Sequence, residues 1–195
     1  MYRIDRLANR SEGSLEPITS PMFKISLPSP GQDRARNILS QDIPKICSWV
    51  KTRKALRMVS GDNGDCLTPN ILQKWLENSL ENLVLIEIGS DQPIGFCTIS
   101  ISEIECLPAG CVELCHLIID PKKRRAFSIG KRLCRAVKEK ASTFGFSYIV
   151  GRVVPWNGYA KVLAEREGFT EIKDLPLWAP DAFHWYNYDL GIVSN

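Results

Sequence analysis

A basic stretch between an apolar run and a helical pattern carries residue types that bind phosphate. The apolar run ends at Asp120-Pro121, four cations occupy positions 122–125, and small or apolar residues at 126–130 begin the helical pattern. The first turn of a helix offers unpaired N–H groups and the positive end of the helix dipole to an anion. We therefore predict a diphosphate-binding loop. The alternative is that these cations only cover a solvent-exposed turn.

A second group of candidate ligands is formed by Cys106, Cys111, Cys115 and His116. Zinc sites usually contain more closely spaced cysteine pairs, and Cys115 and His116 are predicted to point to opposite faces of one strand. Cysteines within apolar runs usually pack as small hydrophobic residues. We therefore expect sheet packing here and no metal.

The elements that must position these residues alternate between helices and strands. Helical spacing of apolar residues predicts four helices, at 41–50, 68–80, 129–141 and 157–167. Alternating or continuous apolar runs predict seven strands, at 22–27, 83–88, 94–101, 111–119, 148–154, 170–173 and 183–190. The expected fold class is α+β, with a central mixed, twisted sheet of about seven strands flanked by four helices. We expect an N-terminal extension over 1–21 and a single domain over 22–195.

Composition and charge limit the class of protein. The 195 residues are 44% hydrophobic and 24% charged, which is ordinary globular usage, and the net charge is only +3. That charge is too small for a typical nucleic-acid-binding domain, although cations line positions 124–135. The start of the chain lacks the apolar core of a secretion signal, and no apolar run is long enough to cross a membrane. We expect a cytoplasmic protein with reduced thiols and with neither nucleic acid nor membrane as partner.

Three segments in the expected order resemble the GNAT superfamily of acyl-CoA-dependent N-acyltransferases. Residues 125–130, Arg-Ala-Phe-Ser-Ile-Gly, resemble the family's Arg/Gln-x-x-Gly-x-Gly/Ala loop. Residues 157–169 resemble its Asn-x-x-Ala-x-x-Leu-Tyr-x-x-x-Gly-Phe helix, and residues 93–96 resemble its second hairpin strand. The order of elements matches from about Phe23 to Leu190. The resemblance implies an N-acetyltransferase in which a primary amine attacks acetyl-CoA directly, in a ternary complex.

The resemblance also implies where acetyl-CoA, as co-substrate, would bind. In the family, the strand before the loop and the strand after the long helix separate, and the pantetheine lies between them. The pantetheine and the thioester would then lie along Leu117, Ile118 and Ile119. Leu117 and Ile119 would contact them through backbone groups. The other implied contacts come from the loop and the next helix: Arg124, Arg125, Ala126, Phe127, Ser128, Ile129, Gly130, Lys131, Asn157, Tyr159 and Ala160.

Acetyl transfer to an amine needs a base, because the attacking amine must lose a proton. Glu113 is the candidate, since its strand position resembles that of a glutamate which some family members use directly or through water. The alternative is that Glu113 only orients a loop. His116 is the second choice for the base.

Two positions depart from the family pattern. Ser128 replaces the first motif glycine, and Ala164 stands where a tyrosine often protonates the leaving thiolate. Tyr159, more than one helical turn earlier, is an imperfect substitute, and Tyr186 and Tyr188 could serve only if they point inward. These departures leave an alternative function open, that of a catalytically weak or inactive acyl-CoA-binding regulatory module.

The acceptor is the part of the reaction about which the sequence says least. We expect a small-molecule amine or a peptide amine to bind between the first two helices, at about residues 41–80, and the hairpin after the strand that contains Ile118. No motif in that segment distinguishes an amino acid, a polyamine, an antibiotic or a protein N-terminus. A homodimer is also left open.

Overall fold

A seven-stranded mixed sheet with helices on both faces organises the computed structural model, which describes residues 34–87, 89–101, 110–124, 128–173 and 183–191. The strands are β1 (Arg34–Asn37), β2 (Glu81–Ile86), β3 (Pro93–Ile101), β4 (Cys111–Ile119), β5 (Tyr148–Val153), β6 (Thr170–Ile172) and β7 (His184–Asp189). The α-helices are α1 (Ile43–Cys47), α2 (Arg53–Ser60), α3 (Pro69–Glu77), α4 (Ser128–Thr143) and α5 (Gly158–Arg166), and one 3-10 turn (Ser40–Asp42) precedes α1. The α+β fold expected from the sequence is confirmed.

The structure differs from the sequence prediction at α2 and at the first strand. Helix α2 buries Leu56, and Ala55 and Val59 pack against the same core, so it has an apolar side that the sequence prediction did not include. The Thr52 side chain accepts from the Ala55 N–H at 3.2 Å to cap its start, and Gly61, with φ 77°, ends it. Strand β1 is an exposed edge strand without apolar alternation. The strand predicted at 22–27 and the predicted extension lie outside the described residues.

The strand order explains why the long helix α4 stands between β4 and β5. The sheet runs β1-β2-β3-β4-β5-β7-β6, and every neighbouring pair is antiparallel except β4 and β5. Parallel neighbours require a crossover connection, which α4 supplies. The expected hairpin corresponds to β2 and β3.

Each face of the sheet carries its own hydrophobic core. On one face, the apolar stripe of α4 packs Leu133 and Val137 against the sheet. On the other face, α1, α2 and α3 bury Ile46, Leu56 and Leu72 against residues of β2, β3 and β4. The parallel pair at the centre of the sheet is therefore covered from both sides, as such pairs usually are.

Strand β4 contains a bulge opposite β3. The register moves from Phe96–Ile118 to Thr98–Cys115, so β4 has one residue more than β3. His116 has φ 54° there, and its Nδ1 lies 2.9 Å from the hydroxyl of Thr98, which is directly opposite Cys115. The expectation that Cys115 and His116 point to opposite faces is therefore wrong, because strand alternation is interrupted at a bulge.

The described ranges contain neither a helix that could span a membrane nor a side-chain cluster that could hold a metal ion. No helix there combines the length and the apolar character needed to cross a bilayer. His, Cys, Asp and Glu side chains in the same ranges form no group of three that could hold a metal ion, and Cys106 lies outside them.

Candidate active site

The parallel strands β4 and β5 stop pairing before either strand ends. Their register runs only from Cys111–Tyr148 to Leu114–Gly151, whereas β4 continues to Ile119 and β5 to Val153. Beyond Leu114, the edge of β4 that faces β5 therefore has no strand partner on that side. Backbone N–H groups on such an edge can donate to a developing oxyanion. The predicted contact residues Leu117, Ile118 and Ile119 all lie in this unpaired part.

The turn after β4 is held by Asp120, whose side chain is buried. Its Oδ1 accepts from the Lys122 N–H at 2.9 Å, and its carbonyl accepts from the Lys123 N–H at 2.8 Å. The Lys123 ammonium pairs with Glu87 at 2.5 Å. Lys122 and Arg124 are exposed, and no described carboxylate pairs with them. The turn thus presents two cations that a phosphate could approach.

Helix α4 begins at Ser128. Ser128 and Lys131 are exposed in its first turn, while Ile129 is buried. The Arg132 Nε donates to the Ser128 carbonyl at 3.1 Å, and burial lowers the pKa of Arg132. The sequence predicted Arg132 only as part of a solvated helix face. It did not predict that Arg132 is partly buried and contacts Ser128 in the first turn of α4. The predicted contacts at 125–127 lie outside the described residues.

Gly130 permits a close approach between α4, α5 and β4. A Cβ added at Gly130 would lie 2.8 Å from the Leu163 Cδ2 and 3.4 Å from the Ile119 Cδ1. Both neighbours are side chains that pack where the gap between β4 and β5 opens. The second motif glycine therefore has a packing reason that is independent of any ligand.

We expect Gly130→Ala to destabilise the fold relative to Gly158→Ala by about 1–3 kcal/mol, because the added methyl overpacks the contact with Leu163. Gly158 is a suitable control, since a Cβ there would meet nothing within 4 Å. Both glycines lie in the first turn of a helix, so the two changes share any gain in helix propensity, which is at most about 1 kcal/mol. Chemical denaturation of the two variants measures the difference, and equal stabilities would contradict the packing role.

The predicted contacts on α5 lie where β5 ends. The Asn157 Oδ1 accepts from the Ala160 N–H at 3.2 Å, so this side chain caps the helix. Trp156 is 55% exposed and Tyr159 is 83% exposed. The capping amide keeps its NH₂ group available, and the Tyr159 side chain points to solvent.

The tyrosines considered as proton donors differ in burial. Ala164 packs against the core on the α4 face. In the same core, Tyr186 is 1% exposed, its hydroxyl has no partner among the described residues, and burial raises its pKa. Tyr188 packs against Phe169 and lies under the Lys138 ammonium, 4.0 Å from its ring centroid. Tyr186 therefore points inward as an unpaired donor, whereas Tyr188 is engaged in packing.

Glu113 lies one residue before the end of the β4–β5 pairing, on the face covered by α1, α2 and α3. Its carboxylate is buried, at 6% exposure, and accepts from the Arg152 Nε. The Arg152 guanidinium also lies 5.2 Å from the Trp185 ring centroid and 5.7 Å from that of Phe183. Sequence reasoning missed Arg152, because only the pairing of β4 with β5 brings the two side chains together.

Cys115 lies next to Glu113 on the same face of β4. Burial, with the Glu113 carboxylate as the second cause, raises the pKa of its thiol to about 12. Burial also raises the pKa of Cys47, Cys97, Cys111 and Cys134. Nucleophilic cysteines need the opposite shift, since the thiolate is the reactive form.

His116 contacts Thr98 of β3 and Trp75 of α3. Its ring stacks on Trp75 with centroids 3.9 Å apart, and the Trp75 Nε1 donates to Asp62 at 3.3 Å. Burial lowers the pKa of His116 to about 4. The imidazole is therefore neutral at neutral pH, and its role as second-choice base stays a prediction.

The low pKa of His116 predicts that stability falls on mild acidification. The unfolded chain protonates this group below its ordinary pKa of 6.5, whereas the folded chain does so only near 4. Stability from this group is therefore constant above pH 6.5 and is lost as the pH falls toward 4, by about 3 kcal/mol at most. Urea titrations at several pH values measure this slope, and an unchanged slope in His116→Gln would refute the assignment.

Comparison with known families identifies the fold. Residues 49–169 match the family model described as the acetyltransferase (GNAT) family. The matched segment includes β4 and β5, between which the gap opens, and helices α4 and α5. The chain belongs to the GNAT acetyltransferase family. No curated protein sequence matches the chain.

Solved structures share this fold at low sequence identity. A putative phosphinothricin N-acetyltransferase is 18% identical, with a TM-score of 0.63, over 82% of this chain and 99% of that one. The ribosomal-protein-S18-alanine N-acetyltransferase from Escherichia coli is 15% identical, with a TM-score of 0.57, over 84% and 97%. A GNAT family N-acetyltransferase from Escherichia coli, solved in complex with CoA, is 19% identical, with a TM-score of 0.59, over 81% of each chain.

Proposed function

We propose that the protein transfers an acetyl group from acetyl-CoA to a primary amine while both substrates are bound. The observation that carries this proposal is the end of β4–β5 pairing at Leu114–Gly151, directly beside the buried Glu113. The unpaired edge of β4 leads into the cationic turn and the first turn of α4. A solved neighbour of this fold contains CoA, which supports the choice of cofactor.

The residues around the gap fit an acyl-CoA in three respects. The unpaired N–H groups of β4 beyond Leu114 can bind the thioester carbonyl and stabilise negative charge on its oxygen. The exposed first turn of α4, from Ser128 to Lys131, can bind the pyrophosphate. Lys122 and Arg124 add cations beside it. Bound acetyl-CoA supplies the activated acetyl group, and these groups of the chain hold and orient it.

Glu113 is the proposed base, and Arg152 is its positioning residue. The guanidinium donates to the Glu113 carboxylate and is itself held near two aromatic rings. A carboxylate fixed in this way can take the proton of the incoming ammonium, directly or through water. The raised pKa of the neighbouring Cys115 thiol argues against an acetyl-cysteine intermediate and supports direct attack by the amine.

One observation favours the alternative of a regulatory acyl-CoA-binding module. Ala164 offers no hydroxyl for the leaving thiolate, and Tyr159 points to solvent. However, a thiol whose pKa is about 8.5 can leave as the thiolate without an acid, only more slowly. Turnover with a suitable amine therefore distinguishes the enzyme from the module.

Calorimetric titration with acetyl-CoA tests the cofactor site. We expect micromolar binding that Arg125→Ala weakens about 10-fold or more, because the change removes a charge-assisted contact to phosphate. Arg135→Ala is the matched control, since Arg135 is an exposed arginine of α4 beyond its first turn, and its partner in the described part of the chain is Glu139. Absence of binding at millimolar acetyl-CoA would refute the proposed function. An equal loss in both variants would show that only general electrostatics is involved.

A further inference from the structure

A cationic groove lies on the sheet face opposite α4. The cavity has a volume of about 490 Å³, and its described lining residues are Arg53, Lys54, Arg57 and Trp156. The three cations come from α2, and the indole comes from the segment that joins β5 to α5. This groove is large enough for a small molecule, and the cofactor contacts described above do not use it.

The charge of the groove is largely uncompensated. Arg53 pairs with Asp65, but both side chains are exposed, at 64% and 85%, so solvent screens this pair strongly. No carboxylate in the described ranges pairs with Lys54 or Arg57. Arg53 and Lys54 are adjacent, and Arg57 lies one turn further along the same short helix. The three cations repel each other, and a bound anion relieves that repulsion.

The groove bridges the two strands that separate at the gap. Helix α2 packs over β4 through Leu56, and Trp156 lies three residues after the end of β5. Glu113 and Arg152 point to this same face. A molecule in the groove would thus lie on the side from which an amine must reach both the gap and the proposed base.

We propose that the acceptor amine carries a carboxylate, which binds to the groove formed by Arg53, Lys54, Arg57 and Trp156. This inference rests on the proposed function and narrows its acceptor class. The cations hold the carboxylate through charge-assisted hydrogen bonds, and the Trp156 face covers the apolar part of the acceptor. The same field repels a molecule with several ammonium groups, which argues against polyamines as acceptors.

A pair of probes with opposite charge tests the groove independently of turnover. We propose to titrate the full chain by calorimetry with glutarate, a dicarboxylate, and with cadaverine, a diamine of the same carbon count. Glutarate is expected to bind and cadaverine is not. The double variant Lys54→Glu/Arg57→Glu should weaken glutarate binding about 10-fold or more. Arg135→Glu is the control, because it makes a charge reversal on the exposed face of α4.

Failure of the carboxylate site and failure of the proposed transferase function give different binding results. Absence of glutarate binding at millimolar concentration, cadaverine binding of equal strength, or an equal loss in Arg135→Glu would each overturn the groove assignment. Competition between glutarate and acetyl-CoA would also overturn it, because the groove would then hold the cofactor phosphates. Absence of acetyl-CoA binding, by contrast, would refute the transferase proposal while leaving a carboxylate site in place.

A kinetic comparison completes the test. Matched amines that differ in one carboxylate, such as glycine and glycinamide, should differ in KM, with the carboxylate form favoured. The double variant should remove that preference and leave acetyl-CoA affinity unchanged. Preference for glycinamide in the unmodified protein would contradict the inference.

Discussion

Glu113→Gln is expected to lower kcat about 100- to 1,000-fold and to leave acetyl-CoA affinity unchanged, because the amide cannot accept the proton of the amine. The amide oxygen can still accept from Arg152, so the buried contact keeps its shape. A lost base should also flatten the acid limb of the pH–rate profile, which a purely structural role would not do. Thiol release from acetyl-CoA, measured across pH, gives both readouts.

Two further variants keep this prediction falsifiable. Glu139→Gln removes an exposed carboxylate on α4 and should leave kcat unchanged. Arg152→Gln removes the positioning partner and should lower kcat with a smaller change in the pH profile. Unchanged turnover in Glu113→Gln, together with a loss of thermal stability, would assign Glu113 to the alternative role of orienting a loop.

Asp42→Ala is expected to destabilise the fold by about 1.5–3 kcal/mol, because it removes the charge-assisted hydrogen bonds that the buried carboxylate accepts from Arg36. Asp42 is 2% exposed, and its oxygens accept from Arg36 at 2.6 and 3.0 Å and from the Leu39 N–H at 2.8 Å. Burial alone would raise the pKa of Asp42, but these hydrogen bonds outweigh it and lower the pKa. This pair joins edge strand β1 to the start of α1.

The exposed pair between Arg53 and Asp65 is the control for this prediction. Asp65→Ala should change the stability by at most about 1 kcal/mol, because solvent screens exposed pairs. Asp42→Asn keeps the shape and should lose less than Asp42→Ala. Urea unfolding measures all three variants, and similar losses at Asp42 and Asp65 would show that burial adds nothing to the pair.

The sign of the pH dependence at Asp42 follows from its lowered pKa. Its stabilising contribution is fully present above the ordinary pKa of 3.8 and is lost as the pH falls below it. His116 acts at higher pH, since its contribution changes between 6.5 and about 4. The two groups can therefore be separated in one acid titration of stability.

Local patterns in the sequence were sufficient to predict most of the helices and strands. The apolar stripe of α4 appeared in residues 129–141, and Thr68-Pro69 marked the start of α3, where the Thr68 hydroxyl accepts from the Ile71 N–H at 3.3 Å. Such signals lie within one or two helical turns, so they can be read without the fold. Helix α2 has helical apolar spacing too, in Ala55, Leu56 and Val59, but it spans only eight residues and the sequence prediction did not include it.

The sequence by itself determined the α+β order of elements, the cationic turn before α4 and the family motifs at 125–130 and 157–169. Only the tertiary structure decided where β4 and β5 stop pairing, that the bulge turns His116 toward Trp75, that Arg152 holds Glu113, and that α2 and Trp156 form one groove. The physical reason is that each of these features depends on strand register or on helix packing between residues far apart in the chain. Neither composition nor local periodicity contains that information.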